Sequence, residues 1–387
     1  MLRSKLFVLL CCLSLIFLSY SHIVVGFSNQ MGLVFNLGFR MVIGYALFYL
    51  SYLFISVETK ITKIVWSILL LGIYIVILFL LKTNSIIDSI RVFGLLLWVF
   101  CFYYGSRISR CSEFIKKYFS KTIFIGIVVL LLYYFYYYLF MGFLDNQKSS
   151  DTVFFLIVYL PFLFLFDGNK ILKTITIVLF SVICLFSLKR SIVLGLVLFL
   201  FFLYLLEGNK KVVKKWYFWL ILVLVIWVGI YVNNTVGNLL LSRFNETESG
   251  GSGREAIYTI VLRHFSNSSF SELILGHGFM STLKIIGALA HNDFLQLLYD
   301  GGLIAIVFYL SMWIYFLSFA IKNWHSRKQI GIYYSIYVST LVLLITLSML
   351  NCFIYSYMLL SPLMLAIGFL IGEIRNKKRL LFSSNQL

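Results

Sequence analysis

Charge is scarce in this sequence: only 12% of its 387 residues are Asp, Glu, Lys or Arg. A soluble domain carries about a quarter charged residues, so the shortage excludes a soluble globular fold. Alternation at period two, the mark of a membrane barrel, is also missing. Long apolar runs stand in its place, with 61% hydrophobic residues and a mean hydropathy of +0.98. A hydrocarbon core about 30 Å thick needs roughly 20 apolar residues per helix, and such stretches follow one another almost end to end. The expected class is all-α: a polytopic integral membrane helical bundle of about twelve transmembrane helices, with one large extracytoplasmic loop.

Other absences narrow the chemistry. Acidic residues number 14 against 32 basic ones, yet no basic domain stands outside the membrane to hold a duplex, so nucleic acid is excluded as a partner. No P-loop or dinucleotide fingerprint is present, so no nucleotide bound by such a motif is expected to drive the protein. The cysteines (Cys11, Cys12, Cys101, Cys111, Cys184 and Cys352) avoid the large outer loop and lack zinc-type spacing. Neither structural disulfides nor a zinc site is expected from them.

Spans are expected near 6–27, 31–57, 64–81, 86–105, 122–143, 152–167, 171–188, 190–206, 216–236, 292–321, 329–350 and 352–372. Pro161 falls inside the sixth, where packed neighbours can satisfy the carbonyl it frees. Cytoplasmic loops of helical membrane proteins are enriched in Lys and Arg. With the N-terminus inside, the inner segments carry Arg3/Lys5, Lys60/Lys63, Arg107/Arg110/Lys116/Lys117/Lys121, Lys170/Lys173, Lys210/Lys211/Lys214/Lys215, Lys322/Arg327/Lys328 and Arg375/Lys377/Lys378/Arg379. The alternation is unbroken, and both termini are predicted to be cytoplasmic. The first span could be mistaken for a signal peptide and is expected to be retained.

This divides the chain into helices over 1–236, an extracytoplasmic loop over 237–291, and helices with a basic cytoplasmic tail over 292–387. Loops as long as 237–291 are usually functional or disordered. "NETESGGSG" (245–253) reads as a flexible stretch. From Arg254 the pattern turns helical, with Ile257, Ile260, Val261 and Phe265 at three- and four-residue spacing, Ser252 as a cap and Glu255 in the first turn. The loop's charges balance: Arg243, Arg254, Arg263 and Lys284 against Glu246, Glu248, Glu255 and Glu272. A balanced surface suits individually placed arginines better than a general polyanion site.

Arg254 follows a Gly-Ser-Gly run that lets backbone approach a ligand, and it opens a helix, whose first turn favours anions. Arg263 fits a solvated helix face. His277 is flanked by glycines in "SELILGHGF" (271–279), and His291-Asn292-Asp293 stand at the lip of the tenth span. Arg190 lies at an outer span end with no acidic neighbour in sequence. Ionisable groups within apolar spans are functional candidates by default, which brings in Arg40 and the pair Asp88/Arg91. That pair also fits a local ion pair one turn apart. His291 has two readings as well: a group for chemistry, or a hydrogen-bonding link between loop and bundle.

"GGSGREAIY" (250–258), "LILGHGF" (273–279) and "AHNDFLQLLYDGGLIAIVFYL" (290–310), in this order before a span, resemble the O-antigen polymerase/ligase family (Wzy-type). "SLKRS" (187–191) resembles that family's earlier Arg-containing motif. The resemblance runs from Ser187 to about Tyr315. It implies an integral-membrane glycosyltransferase of the bacterial cytoplasmic membrane whose donor is a glycan on polyprenyl pyrophosphate, with no nucleotide sugar, cofactor or obligatory metal. By position it implies that Arg190 and Arg254 hold the donor pyrophosphate and that His291 activates or positions the acceptor hydroxyl. His277, Asn292 and Asp293 lie near these motifs as additional candidates. A flippase and a chain-length regulator of the same pathway are the implied protein partners, and membrane lipid is the surrounding one. Three functions follow: a polymerase of O-antigen, capsular or exopolysaccharide repeat units, a ligase moving a finished glycan onto a lipid or protein acceptor, and, from another class, a flippase or transporter of lipid-linked glycan.

Overall fold

A computed structural model describes residues 2–27, 31–54, 63–82, 86–140, 152–186, 189–207 and 254–384. The expected ninth span, the "NETESGGSG" stretch, Ser252 and the Lys210–Lys215 segment lie outside these residues. So do the side chains of Asp88, Arg91 and Arg190. Among the described residues every regular element is helical.

The helices are α1 (Leu2–Phe27), α2 (Met31–Ser51), α3 (Lys63–Lys82), α4 (Ile86–Ile108) and α5 (Glu113–Phe140), then two short pieces, α6 (Phe154–Ile157) and α7 (Leu160–Leu165). They continue with α8 (Lys170–Phe186), α9 (Arg190–Glu207), α10 (Arg254–Ser266), α11 (Phe270–Leu275) and α12 (Thr282–Ile286). Last come α13 (Asp293–Asn323), α14 (Arg327–Ile330), α15 (Ile332–Leu350) and α16 (Tyr357–Ser384). Five of them (α1, α5, α13, α15 and α16) contain described stretches long and apolar enough to cross a membrane.

The sixth expected span is not one continuous helix. It breaks at Val158–Tyr159, and Pro161 occupies the first turn of α7, where its missing N–H costs no helical bond. Tyr159, between the two pieces, is buried, and its hydroxyl donates to Leu15 O at 3.1 Å.

The sequence also explains which helix is central. α16 is buried from Met358 to Ile374 and packs along α4. Gly368 lets the Phe102 carbonyl come close, and any Cβ there would collide with it. Small residues four apart, here Gly368 and Gly372, bring helix backbones together where hydrophobicity gives no drive to associate. α13 has the opposite character. Leu303, Val307, Leu310, Ile314, Leu317 and Ile321 form an exposed apolar stripe at steps of four and three, suited to lipid. Its other face buries Ala305, Tyr309, Met312, Trp313 and Phe316.

Charged and amide side chains gather at one end of the bundle. Lys116 Nζ bridges Glu373 and Glu113, each at 2.7 Å. Asn376 Nδ2 donates to Ser109 O at 2.7 Å, Lys377 Nζ to Ile330 O at 3.2 Å and Lys378 Nζ to Asn323 Oδ1 at 3.3 Å. The run from Arg375 to Lys378 therefore continues α16 and ties helix ends together. The short helices α10, α11 and α12 lie at the opposite end, against α13.

Candidate active site

The site is built on a helix that stops and restarts. Asn292 caps α13: its Oδ1 accepts from Phe294 N at 2.9 Å and Leu295 N at 3.2 Å, and its Nδ2 donates to Met349 O at 3.3 Å. Such a cap contributes about 1 kcal/mol. Nearly three turns on, Gly302 takes φ 64° and ψ −164°, and the helix breaks. The carbonyls freed there need partners, since nothing in hydrocarbon supplies them. Tyr299 O accepts from His277 N at 3.0 Å and Asp300 O from Gly278 N at 2.9 Å. Gly301 O accepts from the Tyr74 hydroxyl of α3 at 3.1 Å. "LGHGF" and "YDGG" are thus two halves of one joint. A Cβ on Gly276 would strike the Asp300 carbonyl, and Gly302 packs against Ile274.

Asp293, Gln296 and Asp300 line the inner face of this half-helix, all buried. Asp293 Oδ1 accepts from Ile354 N at 2.8 Å and Oδ2 from the Tyr309 hydroxyl at 3.2 Å. Gln296 Oε1 accepts from Ala290 N at 2.8 Å, and its Nε2 donates to Asp300 Oδ2 at 2.6 Å. Asp300 Oδ1 accepts from Ser281 Oγ at 2.6 Å and Ser281 N at 3.1 Å. The sequence reading missed Gln296 and Asp300. The available signal was their three- and four-residue spacing after Asp293, which puts three polar groups on one face of an apolar helix.

Above the half-helix sits the cap. Val261 of α10 is buried against Ala290 and Tyr299, with Ile257, Phe265, Ile286 and Leu295 around them. Ile260, expected on that face, is exposed instead. Arg254 opens α10 one turn before Ile257 and is partly exposed. Among the described residues its guanidinium has no hydrogen-bond or ion-pair partner. Arg263 is exposed in the last turn, as a solvated face requires.

The two histidines differ. His277 is a brace: its ring stacks on Tyr299 at 4.1 Å, with Nδ1 3.1 Å from Tyr299 O and Nε2 3.0 Å from Ser268 Oγ. The carbonyl can only accept, so Nδ1 carries a proton, while the Ser268 hydroxyl donates to His264 O at 2.8 Å. His291 directly follows Ala290, is partly exposed, and holds φ 50°. A left-handed backbone at a residue with a Cβ costs about 1–3 kcal/mol and persists only where neighbours impose it. The Ala290–Gln296 bond and the Asn292 cap are those neighbours.

Arg190 opens α9, whose direction places it. Gly195 faces Leu343 and, beyond it, Leu347, in the half of α15 nearer the cap. Glu207, at the other end of α9, lies within electrostatic reach of Lys173, whose Nζ donates to Phe166 O at 2.9 Å. The Arg190 backbone is therefore at the cap end, with Arg254 and His291. Among the described residues no three His, Cys, Asp or Glu side chains gather as metal ligands.

Fold and site together define a helical membrane protein with a polar cap at one end of its bundle. Residues 175–310 match the model of a family described as O-antigen ligase, and over that segment the chain is similar to that family. The match runs from α8 through the cap to the restarted part of α13. No curated protein matches the chain.

Proposed function

We propose that the protein is a bacterial polysaccharide polymerase of the cytoplasmic membrane. It joins polyprenyl-pyrophosphate-linked repeat units into O-antigen, capsular or exopolysaccharide chains at the outer face. The observation that carries this reading is the family match over 175–310, a segment that holds Arg190, Arg254 and His291 and whose α10 packs through Val261 on Ala290, the neighbour of His291. Twelve spans, both termini in the cytoplasm, and a flippase and chain-length regulator as partners belong to the same reading.

Displacing polyprenyl pyrophosphate from an anomeric carbon builds negative charge on the leaving oxygen. Arg190 and Arg254 bind that group, because guanidinium stays cationic and presents a rigid fork of donors to phosphate oxygens. In a partly dry cleft they contribute several kcal/mol to the transition state. The acceptor hydroxyl loses its proton to His291 as it attacks the opposite face, a role typically worth ~10²–10⁴ in rate. A single displacement inverts the anomeric centre. Asn292, Asp293 and His277 shape the site and do not touch the reacting atoms.

The description of the matched family favours a second reading, a ligase that transfers a finished glycan to a lipid or protein acceptor. Reconstituted protein given polyprenyl-pyrophosphate repeat units, with and without a cell-envelope acceptor, separates the two. A ladder without added acceptor, with inverted linkages, supports the polymerase. Transfer only after acceptor is added supports the ligase, and retained linkages contradict the mechanism in either case.

A further inference from the structure

The turn that carries His291 is held by a group with no part in the proposed chemistry. Gln296, wholly buried one turn into α13, accepts the N–H of Ala290 at 2.8 Å. On its other side it donates to Asp300 Oδ2 at 2.6 Å and to Thr282 Oγ1 at 2.8 Å. Asp300 in turn takes the Oγ and N–H of Ser281. Both ends of the segment 281–290 are therefore fastened to one face of the half-helix. Asn292 fixes the other side of His291 by capping that same half-helix and reaching Met349 O. A residue at φ 50° between two pinned neighbours has its Cα–Cβ direction set by them. A carboxamide meets both demands at Gln296, accepting from a backbone N–H while donating to a carboxylate.

We propose that Gln296, oriented by Asp300, is a positioning residue for His291: it fixes the turn so that the imidazole faces the acceptor hydroxyl. The proposal rests on His291 being the group that takes the acceptor's proton. Burial alone would have been served by leucine. The amide is used here for direction, and a misplacement of about 1 Å at a reacting group can cost ~10²-fold in rate.

The test uses the full chain in lipid nanodiscs with ¹⁵N-labelled histidine, comparing wild type, Gln296→Leu, and the exchange pair Gln296→Glu with Asp300→Asn. The pair reverses donor and acceptor between the two side chains and keeps the bond to Ala290 N. In Gln296→Leu the His291 ring resonance is expected to move while those of His264 and His325 stay. Glycan transfer should show kcat lower by about 10- to 100-fold with the donor KM within about twofold. The exchange pair should restore both readouts, and in a His291→Ala background Gln296→Leu should cause no further loss. Gln296→Asn, which shortens the reach, gives the same comparison should the leucine variant fail to fold. An unmoved His291 resonance in the folded variant, or a loss that persists without His291, overturns the proposal. A resonance that moves and is restored, in a protein that transfers no glycan, upholds the positioning and places the error in the functional reading.

Discussion

At the scale of residues, His291 is the most constrained position of the site. Its positive φ costs energy for any residue with a Cβ and nothing for glycine. His291→Gly is therefore expected to be about 1 kcal/mol more stable than His291→Ala, with neither variant active. Thermal unfolding in detergent reads the first difference and transfer assays the second. If alanine is the more stable, the turn is not strained. Arg254 makes a separate prediction: Arg254→Ala should lower kcat/KM by about 10²-fold with little change in Tm, since the side chain is partly exposed. Arg254→Lys should recover only part of it, because a point charge does not reproduce a fork. The triplet His291-Asn292-Asp293 was legible as a polar cluster at the start of a span, but the separate parts its members play in the fold were not. Polar residues at a helix start serve equally as caps and as reactants, and only the partners show that Asn292 and Asp293 turn inward.

At the scale of elements, the break in α13 matters most. The span over 292–321 was legible because its apolar run is unmistakable, and α13 covers Asp293–Asn323. The break was not legible, since glycine pairs also occur in unbroken transmembrane helices. What decides it is the loop from α11, whose N–H groups take the carbonyls of Tyr299 and Asp300. Gly302→Ala combines a positive φ with a collision against Ile274, so a loss of about 1–3 kcal/mol is expected, read by chemical or thermal unfolding. A neutral substitution would mean that the joint can re-form elsewhere. The sixth span shows the same limit. Its apolar content was legible, whereas its division into α6 and α7 depends on Tyr159 reaching α1.

At the scale of the whole molecule, Lys116, Lys377 and Lys378 are among the described basic residues that lie at the end opposite the cap. This sidedness was legible because charge alternates with the spans, which requires no knowledge of packing. If that end is cytoplasmic, exposed positions at the two ends label from opposite sides. Asn267→Cys should react with an impermeant maleimide in intact cells, and Lys328→Cys only after permeabilisation. Native thiols interfere little: five of the six are buried, and burial pushes the Cys111 thiol up as well. The reverse labelling pattern would invert the proposed topology. The motifs around the candidate site were legible in their order, and the geometry of the cap was not, because Val261 packs there on Ala290 and Tyr299, which lie about 30 to 40 residues further along the sequence.

Joint action of Arg254 and His291 on a lipid-linked glycan would be read from the release of polyprenyl pyrophosphate. Purified protein in lipid would receive the host's lipid-linked repeat units, and released carrier and glycan size would be followed together. Wild type is predicted to release one carrier per linkage formed, with Arg254→Ala and His291→Ala both folded and both slowed by at least about 10²-fold. Carrier release at the wild-type rate in either folded variant would contradict the account.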